Sequence, residues 1–391
     1  MRKITANYIF PVSRPPIKNG IITLNNKNEI IDLEDNGDAL PEKAGLEYYN
    51  GVLVPGFINC HTHLELSHLR NRIPEKPGMQ GFIQAVRQSR DKNDNVEQKI
   101  RQADTEMVRE GIVAALDIAN QGTTLNQKKK SLIQYITLIE LFGLNPDENE
   151  NKLAHAHDLV AKFKNDQQPT ALTLHALYSL NSQLAKTIIE ENNFPELPLS
   201  IHHLESEGEL NYIENDTGLL KKLMEQINNN HPVENTELLT YRFLQWINRN
   251  KRLLLVHNIQ LKEKLMREIV QSHPDTWWVL CPNSNLFIHD TLPPVNVLMK
   301  NSENICLGTD SLASNLRLSI LSEMKTLQQA FPSTSFATLL QWGTLNGARA
   351  LNLSDKFGSF EAGKTPGINL LQPFDFNRMQ PSEKTVVKKL A

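Results

Sequence analysis

The sequence predicts an α/β protein: a (β/α)8 barrel of the TIM type, with a small β-sandwich domain formed by both chain termini. Three observations point to it. Eight short apolar runs alternate with stretches of helical periodicity over about 300 residues, the pattern of strand–helix repeats winding a parallel sheet. The first fifty-odd residues instead alternate apolar and polar positions, as a small antiparallel sheet does. After Leu353 the chain returns to short strand-like pieces broken by glycine and proline.

The N-terminal runs are ANYIFPVS, NGIITLNN and NEIIDLE, separated by turn residues such as Asn19-Gly20. Beyond Gly51 the runs become LVPGFINCH, GIVAALDIA, YITLIELFGL, ALTLHALYSL, LPLSIHHLE, KRLLLVHN, TWWVLCPN and NICLGTD. Between them lie helical-period segments such as MQGFIQAVRQSR, NVEQKIRQADTEMVRE and LQWINRN. The C-terminal pieces GSFEAGKTPGINLLQP and TVVKKL are expected to rejoin the N-terminal sheet. This divides the chain into a small β domain of residues 1–54 plus 355–391 and a barrel of residues 55–354. The patches NNKNE, ENENK and QKKK read as solvated loops. A doubly wound open sheet is the rival architecture, but no GxGxxG or P-loop is present to serve it.

Composition narrows the function. An apolar fraction of 40%, a charged fraction of 22% and a net charge of -3 are those of an ordinary soluble enzyme, with no electrostatic footprint for nucleic acid or an anionic membrane. No apolar run reaches the roughly 20 residues of a bilayer span. The opening stretch MRKITANYIFPVSRPP turns polar and proline-rich too early for a signal-peptide core. Cys60, Cys281 and Cys306 lie far apart without a CxxC, so they read as buried reduced thiols of a cytoplasmic protein.

The chemistry begins at His61-Thr62-His63. Residues two apart on a strand point to one face, so both imidazoles can reach one ion, and the pair follows the first barrel run. A bare HxH also fits two half-exposed loop histidines. Later runs end the same way: His202 closes LPLSI with Glu205 three residues on, His257 closes RLLLV, and Asp310 closes ICLGT. The strand ends of a barrel aim side chains into its mouth. Three imidazoles and a carboxylate there suit Zn²⁺ or Fe²⁺. Glu65 and Ser67, just past the HxH, are candidates to face a substrate, with a helix cap as the alternative for Ser67. Ser311 and Asn285 are candidate outer partners. Arg317 is either a contact for an anionic group or a solvated helix residue. Glu207 and Glu209, in the acidic run ESEGE, read as solvated.

Together VPGFINCHTH, His202-His203-Leu204-Glu205, VHN, CPNSN, LGTDS, TLNGARAL and GSFEAGK resemble the amidohydrolase superfamily, in its mononuclear deaminase branch of cytosine, guanine, adenosine and S-adenosylhomocysteine deaminases. The resemblance runs from about residue 50 to 365 and implies His61, His63, His202 and Asp310 as ligands of one ion, Zn²⁺ first and Fe²⁺ second. The HxxE spacing selects His202, and the neighbouring His203 faces the other way. By the same resemblance His257 is a catalytic partner of the attacking hydroxide, and His175, ending the fourth run, touches the substrate ring. A bridging lysine on the third or fourth strand would imply two ions, and neither run contains one.

The implied reaction is deamination of a nitrogen heterocycle. A divalent ion lowers the pKa of a water from about 15.7 toward about 7. Asp310 takes its proton, His257 holds the hydroxide in line, and Glu205 protonates the ring nitrogen as ammonia leaves. The extended motif HTHLELS resembles the aminofutalosine deaminases, with S-adenosylhomocysteine, methylthioadenosine, guanine-like bases and pterins as other substrates. Hydrolytic dechlorination, cyclic amide cleavage and a non-catalytic scaffold are the competing functions. The cytidine-deaminase type of zinc site fails: His63-Leu64-Glu65 gives its H-x-E, but no P-C-x-x-C follows. The expected partner is a small heterocycle, with no nucleic acid or membrane, and the resemblance implies a homodimer.

Overall fold

A computed structural model describes residues 1–37, 39, 42–89, 95–192 and 196–391. The chain opens with β1 (Arg2–Ile9), β2 (Ile17–Lys18), β3 (Ile21–Leu24), β4 (Ile30–Glu34) and β5 (Leu46–Pro55). Eight strands then alternate with helices. They are β6 (Phe57–Thr62), β7 (Ile112–Ala119), β8 (Gln134–Leu141), β9 (Thr170–Leu174), β10 (Leu199–His203), β11 (Leu253–His257), β12 (Thr276–Leu280) and β13 (Ile305–Leu307). The last two strands are β14 (Ile368–Asp375) and β15 (Gln380–Lys389).

Each of the eight apolar runs holds one of the strands β6 to β13. The first four form one parallel sheet and the last four another. Every residue of β7, β9, β10, β11 and β12 is buried. Strands covered on both faces need apolar side chains at odd and even positions alike, which is why they read as continuous runs. Hydrogen bonds cross both gaps between the sheets. The His202 N–H donates to the His175 carbonyl at 2.8 Å, and the Thr309 and Asp310 N–H groups both donate to the His61 carbonyl at 3.0 Å. At the second gap a Cβ on Gly308 would lie 2.8 Å from that of His61, so the close approach of the two backbones requires glycine.

The terminal strands form a seven-stranded sheet in the order β15-β14-β5-β1-β3-β4, with β2 also on β1. The C-terminal pieces rejoin the N-terminal ones through antiparallel pairing of β14 with β5. Two expectations are corrected. The ladder runs unbroken through one sheet rather than through the two separately bonded layers of a sandwich, because β5 pairs with β1 along one edge and β14 along the other. Nor is the sheet wholly antiparallel. After β3 and β4 the chain re-enters beside β1 in the direction in which it began, so β1 and β5 run parallel.

Local readings are corrected too. LQWINRN is a short 3-10 turn, Arg242–Trp246, and not a longer helix. Beyond it the Asn248 side chain accepts from the Asn250 N–H at 2.9 Å, an Asx turn that competes with helix. ENENK leads into the helix Asn149–Asn165. Within QKKK, Lys128 is buried: its Nζ lies 2.5 Å from Asp117 Oδ2 and donates to Thr137 Oγ1 at 2.7 Å. Arg90, ending MQGFIQAVRQSR, lies outside the described residues.

Candidate active site

The ends of β6, β10, β11 and β13 bring the predicted residues to one place. The His63 Nε2 lies 3.2 Å from the Nε2 of His61 and 3.3 Å from that of His202. Asp310 Oδ1 is 3.9 Å from the His61 nitrogen and 3.7 Å from the His63 nitrogen. Metal–nitrogen bonds of 2.0–2.1 Å in a tetrahedron put ligand nitrogens about 3.3 Å apart, so the imidazole spacing is that of a coordination shell. The His202 Nδ1–H donates to the His175 carbonyl at 3.1 Å, which turns the Nε2 lone pair inward. Burial, then the neighbouring imidazoles, hold His61 well below the usual histidine pKa, so its ring is neutral. Three imidazole nitrogens and a carboxylate oxygen converge on one point, where a cation can be met by all four at once. The residues present therefore fit a divalent ion.

Three strand ends carry left-handed backbone, at Leu204 (φ 48°), His257 (φ 75°) and Asp310 (φ 55°). Such conformations persist where surrounding bonds over-determine them. Glu209 supplies the bonds at the first, its carboxylate accepting from the Leu204 N–H at 3.0 Å and the Glu205 N–H at 2.8 Å. Glu209 is therefore buried, and only Glu207 is solvated as expected. Burial pushes the Glu209 carboxyl up to about 8 in spite of those donors. The sequence carried a signal: Ser206 caps the helix Glu207–Asn215 and Glu209 is the third residue after it, a capping-box spacing whose glutamate here reaches one and two residues further back.

Asp310 Oδ2 accepts hydrogen bonds from Ser284 and Ser314, each 2.7 Å long, which leaves Oδ1 toward the histidines. Asn285 Nδ2 donates to His257 Nδ1 at 2.9 Å, so the proton of that ring sits on Nε2, 3.6 Å from Glu205 Oε2. Burial alone would raise the Glu205 carboxyl, but His257, His289 and His202 outweigh it and hold it at about 2. Glu205 is thus a carboxylate at neutral pH. Asp117, beside Lys128, accepts from the Leu64 N–H at 2.7 Å and fixes the backbone just past the HxH. His203 points away, to Asn258 Oδ1 at 2.8 Å and the Tyr241 hydroxyl at 3.0 Å.

Above these groups lies a cavity of about 440 Å³. Its polar end holds His63, His202, Glu205, His257, Asp310 and Ser311, and its walls include Met79, Phe82, Phe142 and Tyr178. His175 borders it, with its ring 4.8 Å from that of His202. Glu65 and Ser67 do not border it, against expectation. The Glu65 carboxylate accepts from the Asn120 and Gln121 N–H groups at 2.9 and 3.0 Å, and the Ser67 hydroxyl donates to the Leu64 carbonyl at 2.7 Å. Both are committed to backbone of the strand-end loops, and Ser67 caps no helix. Arg317 is exposed on a loop away from the cavity. Glu140, missed in the sequence, borders it from β8, with Oε1 3.4 Å from His202 Nδ1. Its signal was a lone charge inside an otherwise apolar run.

A model of the amidohydrolase family matches residues 52–389 of this chain. The adenosine deaminase of Helicobacter pylori is 24% identical over 367 residues, 93% of this chain and 88% of that protein. Among solved structures, Helicobacter pylori aminofutalosine deaminase in complex with methylthio-coformycin aligns with a TM-score of 0.83 at 20% identity, covering 96% of this chain and 93% of that one. Atrazine chlorohydrolase from Arthrobacter aurescens complexed with zinc aligns with a TM-score of 0.72 at 16% identity, covering 94% and 86%. These structural likenesses concern the fold. Among the described residues no helix is long and apolar enough to cross a membrane.

Proposed function

The chain belongs to the amidohydrolase family, and from that premise we propose that it is a metal-dependent aminohydrolase releasing ammonia from an adenosine-type nucleoside. The observation that carries the reading is the convergence of three imidazoles and a carboxylate at strand ends, under a cavity that also holds Glu205 and His257. The names of the relatives supply the substrate class. In this reading the two parallel sheets close into an eight-stranded (β/α)8 barrel, supported by the bonds across both gaps. Residues 55–354 make that barrel, and residues 1–54 plus 355–391 make the small β domain. The burial of all three cysteines as free thiols supports a cytoplasmic setting.

His61, His63, His202 and Asp310 would hold one divalent ion, zinc by preference and ferrous iron as the alternative. A single ion is supported by the lack of lysine in β8 and β9 and by Glu140 facing the Nδ1 side of His202, away from the Nε2 cluster. When bound, the ion supplies Lewis-acid activation of a water. Glu205 starts as a carboxylate, so the proton it gives to the substrate's ring nitrogen is one it first accepts from the attacking water. His257 directs its Nε2–H into the site and holds the attacking oxygen in line. Asp310, its other oxygen tied to two serines, takes through Oδ1 the second proton, the one left on the added hydroxyl, and that proton goes to the departing amine. His175 meets the ring from the cavity wall. Protonating the ring nitrogen draws electrons from the carbon under attack, and a second proton transfer to the amine lets ammonia leave.

An ammonia-release screen tests this across adenosine-type nucleosides, aminofutalosine, guanine analogues and pterins, with non-aminated cyclic amides and chlorinated heterocycles in parallel. We expect adenosine-type nucleosides, aminofutalosine among them, to exceed the non-aminated and chlorinated compounds in kcat/KM by at least about 100-fold, because a site built for an amine leaves polar groups unpaired with those alternatives. Turnover confined to cyclic amides or chlorinated rings would retain the ion and refute the aminohydrolase.

A further inference from the structure

The helix Pro282–His289 follows β12 and ends beside Glu205. It already touches two groups of the site: Ser284 bonds Asp310, and Asn285 bonds His257. His289 is four residues after Asn285, on the same helical face. Its side chain is nine-tenths buried, its Nε2 has no hydrogen-bond partner among the described residues, and that nitrogen lies 3.7 Å from Glu205 Oε1. The other carboxylate oxygen faces His257 Nε2 at 3.6 Å. Glu205 is therefore held between two imidazoles, one on each oxygen. His289 does not border the cavity, so it reaches substrate only through Glu205.

We propose that His289 is a positioning residue for Glu205, a hydrogen-bond donor to Oε1 that leaves Oε2 aimed at the attacking water and the ring nitrogen. The inference rests on the aminohydrolase reading for its chemistry. Its geometry stands apart from it: a polar nitrogen buried without a partner is costly unless it has a use, and among the described residues the carboxylate oxygen set before it is that of Glu205. One eight-residue helix then braces the ligand Asp310, the imidazole His257 and the proton carrier Glu205 from behind.

The test compares His289→Leu, which removes the donor, with His289→Gln, whose amide can restore an N–H in the same direction. A hydrogen bond to a charged group predicts a fall in kcat of about 10- to 100-fold in His289→Leu, with KM within about twofold, and recovery of most of the loss in His289→Gln. Metal content and thermal midpoint are expected to stay at the wild-type values. A crystal structure of His289→Leu should show the Glu205 carboxylate rotated from its wild-type position. Wild-type kcat in His289→Leu, or a failure of both variants alike, overturns the proposal. If the wild-type protein releases no ammonia from any substrate, the aminohydrolase reading falls, and an unmoved Glu205 in that crystal structure overturns the proposal independently.

Discussion

Glu205→Gln is expected to lower kcat by about 10²- to 10⁴-fold while the protein keeps its metal ion, the range for loss of a positioned acid–base group. Glutamine has the same shape, and the backbone at this position is held from outside by Glu209, so the loop should not move. What disappears is the exchangeable proton. His257 and His289 keep the Glu205 carboxyl ionised, ready to accept, and an amide can neither take the water's proton nor pass one to the ring. KM should change little if, as proposed, binding of the ring falls to the cavity walls and His175. Steady-state ammonia release together with metal analysis on the same preparation checks this. Activity within threefold of wild type would remove Glu205 from the mechanism.

His61→Ala is expected to lose both the ion and the activity. His61 is fully buried, and its Nε2 is 3.2 Å from that of His63, so its removal takes away a nitrogen held rigidly in place by β6. Losing an outer hydrogen bond to a ligand costs roughly 10- to 100-fold in metal affinity, and losing the ligand itself should cost more than that. Equilibrium dialysis with zinc gives the affinity, and circular dichroism gives the fold. An His61→Ala protein that retains one equivalent of zinc at wild-type affinity would show that the ion binds elsewhere.

Much of this site was written along the chain because the parallel strands end where their apolar runs end. His202, His257 and Asp310 mark those ends, although in strands buried on both faces the run alone does not say whether His202 or His203 faces the site. What the sequence hid depends on contacts between distant elements. Lys128 sits in a lysine-rich stretch and reads as solvated, yet Asp117 of β7 draws it inside. Glu65 stands two residues past the His61/His63 pair, but the backbone donors of Asn120 and Gln121 turn it from the cavity. Glu140 reads as part of a plain strand until His202 appears beside it. The parallel pairing of β1 with β5 is likewise a matter of where the chain re-enters, which alternation of side chains does not encode. LQWINRN has helical spacing, and the side chain of Asn248 overrides it locally.

The most direct test of the account is a titration of metal-free protein with zinc while ammonia release from an adenosine-type nucleoside is followed. The account predicts that the rate is at background without zinc, rises in proportion to added ion, and breaks at one equivalent per chain. A rate independent of zinc, or a break at two equivalents, would contradict it.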